Sequence, residues 1–213
     1  DCEERDLVEE YLKSLLEVNV DVRTPERGDK KALAGIAVNN AEQAANRYVS
    51  DSERSDGLLA SLAEALGLEV LPSRIEAYDI SNISGFDSVG SMIVYEKGKP
   101  KRNDYRKFKI KWVKGANDYA SMKEVLSRRL EHLSDGEGSF AELPDLILLD
   151  GGRGHVGVAR RVAEECDVHV PIFGMVKDDY HKTRALTDGE SEISIAKEFD
   201  VYAFIYNLQE EAH

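Results

Sequence analysis

Two aspartates stand where an apolar strand pattern ends, and their positions indicate metal chemistry. Asp79 lies in residues 75–81, and Asp150 closes the uniformly apolar run Leu146–Leu149. A carboxylate at the end of a buried strand costs free energy unless a cation pairs with it. Neither aspartate has a dedicated basic partner nearby in sequence, so the two together indicate a shared divalent ion. Mg²⁺ binds one or two carboxylates and leaves positions open for water and phosphate oxygens, which favours metal-dependent phosphodiester chemistry.

Length and composition limit the classes of protein to which the chain can belong. Its 213 residues allow one domain, or one domain with an appendage, and 42% hydrophobic residues are enough for a core. No apolar run reaches transmembrane length and the sequence does not start with a signal peptide pattern, so we expect no membrane association. Cys2 and Cys166 are too few for a disulfide framework or a cysteine zinc site, which indicates a reducing, cytoplasmic setting. Because the sequence starts without Met, we expect a piece of a longer protein.

One segment of this acidic chain is strongly basic. The net charge of −13 argues against a general nucleic-acid-binding surface, but residues 97–114 contain nine basic residues and one acid. Such a stripe can hold an anionic ligand in one place. The alternative is that lysines on an edge strand block sheet-to-sheet aggregation, and sequence alone leaves both open. The residues predicted to contact DNA phosphates are Lys101, Arg102, Arg106, Lys107, Lys109 and Lys111.

The sequence pattern predicts that the first third of the chain is mostly helical. Helical spacing predicts a helix over 3–18, and alternation predicts a short strand over 18–23. An Ala-rich helical pattern follows over 30–68, broken around 50–56. Pro72 then marks a boundary, because proline cannot continue a helix. We therefore expect an N-terminal helical segment, 1–71, and a second domain, 72–213.

The second domain alternates strands and helices in a defined order. Three strands joined by short turns predict an antiparallel meander, and right-handed crossovers then place the later strands parallel to the first. This is an α/β fold with the mixed sheet of ribonuclease H, flanked by helices, in which the first and fourth strands are neighbours. Asp79 and Asp150 would then meet at adjacent strand ends. The predicted strands cover 74–81, 89–95, 105–113, 144–150, 171–176 and 192–195, and the helices cover 117–133, 152–165 and 196–213.

A glycine-rich loop supplies a competing interpretation. Residues 152–157 fit G-x-G-x-x-G between a strand and a helix, the outline of a dinucleotide-binding fingerprint. Asp150 stands where the pyrophosphate would approach and would repel it unless a metal intervened. The turns of the preceding meander are also too short for the helices of a nucleotide-binding half. The simpler interpretation is that the glycines let the helix pack close to the strand.

Other polar residues receive no distinct role from their pattern. Spacing singles out none of the five histidines, His213 among them. Asp118, at the start of a helix, is explained by its interaction with the helix dipole. Asp178 and His181 lie in a polar loop whose role the sequence does not define.

Several ordered motifs resemble the C-terminal endonuclease region of the UvrC family. They are the runs Y-D-I-S-N-I at 78–83, Y-R-K-F-K-I at 105–110, N-D-Y-A-S-M at 117–122 and L-L-D-G-G-R-G-H at 148–155, with N-L-Q-E-E-A-H at 207–213. The resemblance covers about residues 72–213, and residues 5–70 look like the segment just upstream in the same family. It implies a ribonuclease H fold and an incision enzyme of bacterial nucleotide excision repair. Such an enzyme cuts the damaged strand of double-stranded DNA on the 5′ side of a lesion.

The resemblance also assigns residues and partners. By motif, it implies that Asp79, Asp150 and His213 hold Mg²⁺ or Mn²⁺, and that Asp118 is a further family acid of less clear role. It implies UvrB as a partner, bound through a region outside this chain. The family's GIY-YIG nuclease domain, UvrB-binding motif and helix-hairpin-helix domain are absent from the sequence, so we expect this chain by itself to cut DNA weakly or not at all. The alternative to a nuclease is a module that binds DNA without cutting it.

Overall fold

The computed structural model describes residues 18–83, 87–113, 115–131, 133, 140–178, 183–195 and 198–213. The chain divides into two compact units, residues 1–53 and residues 54–213. The predicted domain boundary after residue 71 stays a prediction. The helix predicted over 3–18 lies, up to residue 17, outside the described residues.

One long helix, α1 (Gly28–Leu66), replaces the interrupted helical pattern predicted for the first third of the chain. The predicted break at 50–56 was wrong, because that segment contains neither proline nor glycine and its polar side chains are accommodated by solvent exposure. The helix ends at Leu66. The next residue, Gly67, has a φ of +64° that suits glycine, and the N–H of Leu68 donates to the carbonyl of Ala63 at 2.9 Å. The strand predicted over 18–23 was also wrong. This segment pairs with no strand in the described part of the chain, and a strand needs a partner.

Eight strands form a single mixed sheet within the described residues, in the order β3-β2-β1-β5-β6-β7-β8, and β4 also pairs with β2. None of the helices described is long and apolar enough to cross a membrane. The strands are β1 (Arg74–Ile83), β2 (Asp87–Glu96), β3 (Lys99–Pro100), β4 (Arg106–Lys109), β5 (Leu146–Leu149), β6 (Ile172–Lys177), β7 (Thr183–Thr187) and β8 (Glu192–Ser194). The remaining helices are α2 (Asp118–Glu131), α3 (Arg153–Glu165) and α4 (Phe199–Ala212).

The pairing confirms the predicted ribonuclease H-like arrangement. β1 and β2 pair antiparallel, β2 and β4 continue the meander, and β5 lies beside β1 in parallel with Tyr78 opposite Leu149. The predicted third strand, 105–113, is shorter in the structure. The N–H groups of Lys111 and Trp112 donate to the buried carboxylate of Glu124 at 2.8 Å each instead of continuing the ladder. β7 was not predicted.

Alternate residues of β1 face two different hydrophobic clusters. Ile75 and Ala77 pack in one cluster with α4 and the C-terminal part of α1. Tyr78 faces the opposite cluster, formed with α2 and α3. This alternation places Asp79 on the α4 face of the sheet, two residues beyond Ala77.

Candidate metal centre

The carboxyl ends of β1 and β5 bring the two aspartates together. The backbone N–H of Asp150 donates to the carbonyl of Tyr78 at 2.7 Å, which continues the parallel ladder one residue past β5. Asp79 follows Tyr78 directly. The prediction that the two strand ends are neighbours is therefore confirmed, because parallel strands end at the same edge of a sheet.

The last turn of α4 delivers His213 to the same edge. Ile205, Leu208 and Ala212 are buried against the sheet. The hydroxyl of Ser91 donates to the carbonyl of Ala212, and Ser91 is the cross-strand partner of Asp79. This hydrogen bond holds the end of α4 next to Asp79, at the residue that directly precedes His213.

Asp79, Asp150 and His213 present a compact set of donor atoms. One ligand atom from each residue lies within 4.8 Å of those of the other two. His213 Nδ1 lies 3.4 Å from Asp79 Oδ2. The side chains of Asp79 and Asp150 are buried, whereas that of His213 is 72% exposed, so the site opens to solvent on the histidine side.

The electrostatics of Asp150 fit a cation site. Burial raises the pKa of Asp150 and nearby Asp79 raises it further, while Lys177 opposes the rise. Lys177 Nζ lies 2.8 Å from Asp150 Oδ2. The other oxygen, Oδ1, is buried and has no hydrogen-bond partner within the described residues. Burying a carboxylate oxygen without a donor costs free energy, and a divalent ion bound to that oxygen would offset the cost. Two neighbouring carboxylates also favour a bound cation.

Asp118 lies outside this set of three. It is exposed in the first turn of α2, on the side of His155. Burial lowers the pKa of His155, and the charges of Asp118 and Asp150 oppose that shift. The His155 ring packs against Tyr119, with ring centroids 4.6 Å apart. Asp178 follows β6, and His181 lies outside the described residues.

Packing accounts for key glycines around the loop at 152–157. A Cβ at Gly154 would overlap the phenol ring of Tyr119, and a Cβ at Gly151 would overlap the imidazole of His155. A Cβ at Gly174 would meet the carbonyl oxygen of Gly151. Of the three glycines in that loop, only Gly154 has such a contact, and it packs α3 against α2; a Cβ at Gly152 or Gly157 would meet nothing within 4 Å. The interpretation that these glycines let the helix pack close to the strand is therefore not supported, and the close approach to a strand lies at Gly151 and Gly174 instead.

Part of the basic segment lies on the same face of the sheet as Asp79, two strands away from it. Asp79 pairs with Ser91 on β2, and Ser91 pairs with Lys107 on β4, so the three side chains share one face of the sheet. Lys109 lies two residues further along that face. At about 4.8 Å per strand spacing, Lys107 stands about 10 Å from Asp79. Lys107, Lys109 and Lys111 are exposed, and their ammonium groups form no ion pair with any described residue.

The other predicted DNA-binding residues already have protein partners. Lys101 pairs with Glu96 at 2.8 Å, and Arg102 lies 3.6 Å from Glu211. Arg106 donates to two backbone carbonyls. The structure therefore separates these three from the exposed lysines that follow them.

Two further residues of the site, Lys177 and Ser91, were not predicted, and only the first has a signal in the sequence. Lys177 ends β6, the strand parallel to and beside β5, so the rule that found Asp150 would have found it. Ser91 gains its position only from the pairing of β1 with β2, for which no local pattern exists.

Comparisons with known proteins show the family of the chain. Residues 63–213 match the family described as the UvrC RNase H endonuclease domain, and residues 1–48 match the UvrC ribonuclease H-like domain. UvrABC system protein C of Clostridium acetobutylicum is 43% identical over 99% of this chain and 36% of its own length. The Clostridioides difficile protein of that name is 44% identical over 100% of this chain and 34% of its own length. The chain thus spans about a third of these relatives.

Solved structures with some likeness are endonucleases V. The Ciona intestinalis enzyme, in complex with inosine-containing DNA, is 15% identical over 64% of this chain and 63% of its own, with a TM-score of 0.39. Human endonuclease V is 12% identical over 68% of this chain and 80% of its own, with a TM-score of 0.35. Because residues 63–213 match its family model, this chain belongs to the UvrC RNase H endonuclease domain family.

Proposed function

We propose that this chain is the endonuclease part of a bacterial UvrC-type repair protein. It cuts one strand of damaged double-stranded DNA on the 5′ side of a lesion, using Mg²⁺ or Mn²⁺ held by Asp79, Asp150 and His213. The observation that carries the proposal is the convergence of these three donor groups within 4.8 Å, with one Asp150 oxygen buried and unpartnered among the described residues. UvrB would bind through parts of the protein beyond this chain, in the bacterial cytoplasm.

Each ligand is held by a different part of the fold. Ser81 donates a hydrogen bond of 2.7 Å to Asp79 Oδ2, and Asp150 is fixed by its backbone bond to β1. His213 is held through the bond from Ser91 to the preceding carbonyl. Two carboxylates with one imidazole suit Mn²⁺ well and Mg²⁺ through the carboxylates. When bound, such an ion supplies the charge that activates water and stabilises the scissile phosphate and leaving oxygen.

The exposed lysines of β4 would follow the phosphates of the strand being cut. Lys107 and Lys109 share the sheet face of Asp79, and Lys111 lies just beyond β4. Phosphate contacts position DNA without reading bases, which suits an enzyme that cuts beside damage in any sequence. Trp112, the single tryptophan of the chain, is 62% exposed beside them and would report DNA binding by its fluorescence.

The metal ligands are tested with Asp79→Asn and Asp150→Asn, and Glu165→Gln on the exposed surface is the matched control. We expect each asparagine variant to lose Mn²⁺ binding by this chain, measured calorimetrically. We also expect it to lose the 5′ nick made by the intact protein on lesion-containing DNA, while Glu165→Gln keeps both. Nicking retained in either asparagine variant would contradict the ligand assignment. DNA binding by a wild-type chain that takes up no Mn²⁺ would favour the non-catalytic module.

The DNA surface is tested by titrating the fluorescence of Trp112 with DNA at several salt concentrations. Lys107→Ala and Lys109→Ala should each weaken binding similarly for unrelated sequences and reduce the salt slope by about 1. Lys123→Ala, which removes an exposed lysine paired with Glu165 on another surface, is the control and should leave the slope unchanged. An unchanged slope in the β4 variants would mean that these lysines serve only to protect the sheet edge.

A further inference from the structure

Lys177 places its ammonium group inside the candidate metal centre. Its Nζ lies 2.8 Å from Asp150 Oδ2, while Asp150 Oδ1 is buried and unpartnered among the described residues. The side chain of Lys177 is 31% exposed, so the charge borders both the buried carboxylate and the solvent from which a DNA strand would approach.

The partners of the two aspartates differ in a way that a metal site alone does not explain. Asp79 accepts a hydrogen bond from the neutral hydroxyl of Ser81, which orients a carboxylate without repelling a cation. Asp150 is instead bound to a positive charge. A positive charge at a metal-binding carboxylate opposes the approach of a divalent cation, so Lys177 weakens metal binding if it does nothing else.

We propose that Lys177 is a catalytic residue that binds the scissile phosphate. Before the ion arrives, its ammonium compensates the charge of Asp150. With an ion held by Asp150, the ammonium would be available to donate to the phosphodiester of the bound strand. Lysine suits this exchange because it is a compact charge with three donors on a flexible stem. The inference rests on the function proposed above.

The role of Lys177 in the reaction is electrostatic. In the hydrolysis, the oxygen of water forms a bond to phosphorus and loses its proton to the solvent. The bond from phosphorus to the leaving oxygen breaks, and that oxygen takes up a proton from the solvent. Lys177 exchanges no proton in this scheme and donates hydrogen bonds to an oxygen of the phosphate whose negative charge grows. Fixed donors at such a position are usually worth about 10²–10³ in kcat.

A purely structural role for Lys177 makes the opposite prediction for metal affinity. If Lys177 only holds Asp150 in place, its removal loosens Asp150 and weakens Mn²⁺ binding. If Lys177 competes with the ion and acts on the phosphate, its removal strengthens Mn²⁺ binding while it slows cleavage. The two quantities measured together therefore distinguish the roles.

The test uses Lys177→Met, which keeps the length of the side chain and removes its charge, with Lys123→Met as the control on an exposed surface. Mn²⁺ binding to this chain is measured by calorimetry, and the 5′ nick by the intact protein is measured at saturating Mn²⁺. We expect Lys177→Met to bind Mn²⁺ several-fold more tightly and to lose about 10²-fold in kcat. Lys177→Arg should recover part of that loss, and urea unfolding checks that both variants fold.

The outcomes separate this inference from the function on which it rests. Weaker Mn²⁺ binding by Lys177→Met, or an unchanged kcat at saturating Mn²⁺, overturns the role of Lys177 and leaves the metal ligands standing. A wild-type chain that binds no Mn²⁺, or an Asp79→Asn protein that still cuts, overturns the proposed function itself.

Discussion

Replacing Arg129 with methionine would test the buried charge network that holds β1 against α2. Arg129 is fully buried, and its Nη2 and Nε lie 2.8 Å and 3.1 Å from the two carboxylate oxygens of Glu76. The same guanidinium donates to the carbonyls of Phe140 and Glu142 at 2.9 Å and 2.6 Å. Methionine fills much of the same volume but leaves Glu76 short of its principal counter-charge.

The expected cost follows from these contacts. Removing one partner of a buried ion pair costs about 3–5 kcal/mol, because the remaining charge stays buried and uncompensated. Glu76 keeps two donors, the Arg74 guanidinium at 3.2 Å and the Tyr78 hydroxyl at 2.6 Å, which limits the loss. Two carbonyls lose a donor at the same time. We expect a destabilisation of about 4 kcal/mol, which lowers Tm by about 8–16 °C for a chain of this size.

Urea unfolding followed by circular dichroism measures the effect on this chain. Arg161→Met, at an exposed arginine, is the control and should change the free energy of unfolding by less than about 0.5 kcal/mol. Adding Glu76→Gln to Arg129→Met removes the stranded charge and should restore at least about 1 kcal/mol. A loss below about 1 kcal/mol in Arg129→Met, or a double variant no more stable than Arg129→Met, would refute this reasoning.

Three further changes test individual contacts. Ser91→Ala removes the donor to the Ala212 carbonyl, so calorimetry should show weaker Mn²⁺ binding and a stability loss of about 1 kcal/mol; unchanged Mn²⁺ affinity would contradict the proposed tether. Gly174→Ala pushes a Cβ against the Gly151 carbonyl and should cost about 1–3 kcal/mol in urea unfolding, a prediction that a neutral result would disprove. Burial opposes ionisation of Asp104, but hydrogen bonds from two basic side chains outweigh it and hold its pKa below the ordinary value of an aspartate. The stability that this charge contributes is present above about pH 4 and is lost as pH falls further. Asp104→Asn should therefore be less stable at pH 7 and lose less below pH 4 than wild type; parallel pH curves would rule this out.

The meeting of Asp79 and Asp150 could be predicted because each signal is local. An apolar run ending in aspartate marks each strand end, and the handedness of crossovers then fixes which strands are neighbours. The proximity of His213 could not be predicted in the same way. It depends on the packing of α4 and on a hydrogen bond between Ser91 and Ala212, which are 121 positions apart.

The basic segment shows where charge patterns stop being informative. Nine positive charges are visible in the sequence, but only some of the acids that pair with them are nearby: Glu96 and Asp104 lie close to Lys101 along the chain, whereas Glu142 and Glu211 are distant. Glu142 lies 3.5 Å from Lys101 only because β1, β2 and β5 assemble, and Glu211 reaches Arg102 from α4. Lys107 and Lys109 are exposed and form no ion pair with a described residue.

The alternation of β1 separates two acids that are only three residues apart. Glu76 points toward α2, where two arginines satisfy it, and Asp79 points toward α4. Because the sheet lies between the two acids, the arginines on the α2 side pair with Glu76 and do not reach Asp79. One strand can thus place a structural acid with its own counter-charges on one face and an acid available to a cation on the opposite face.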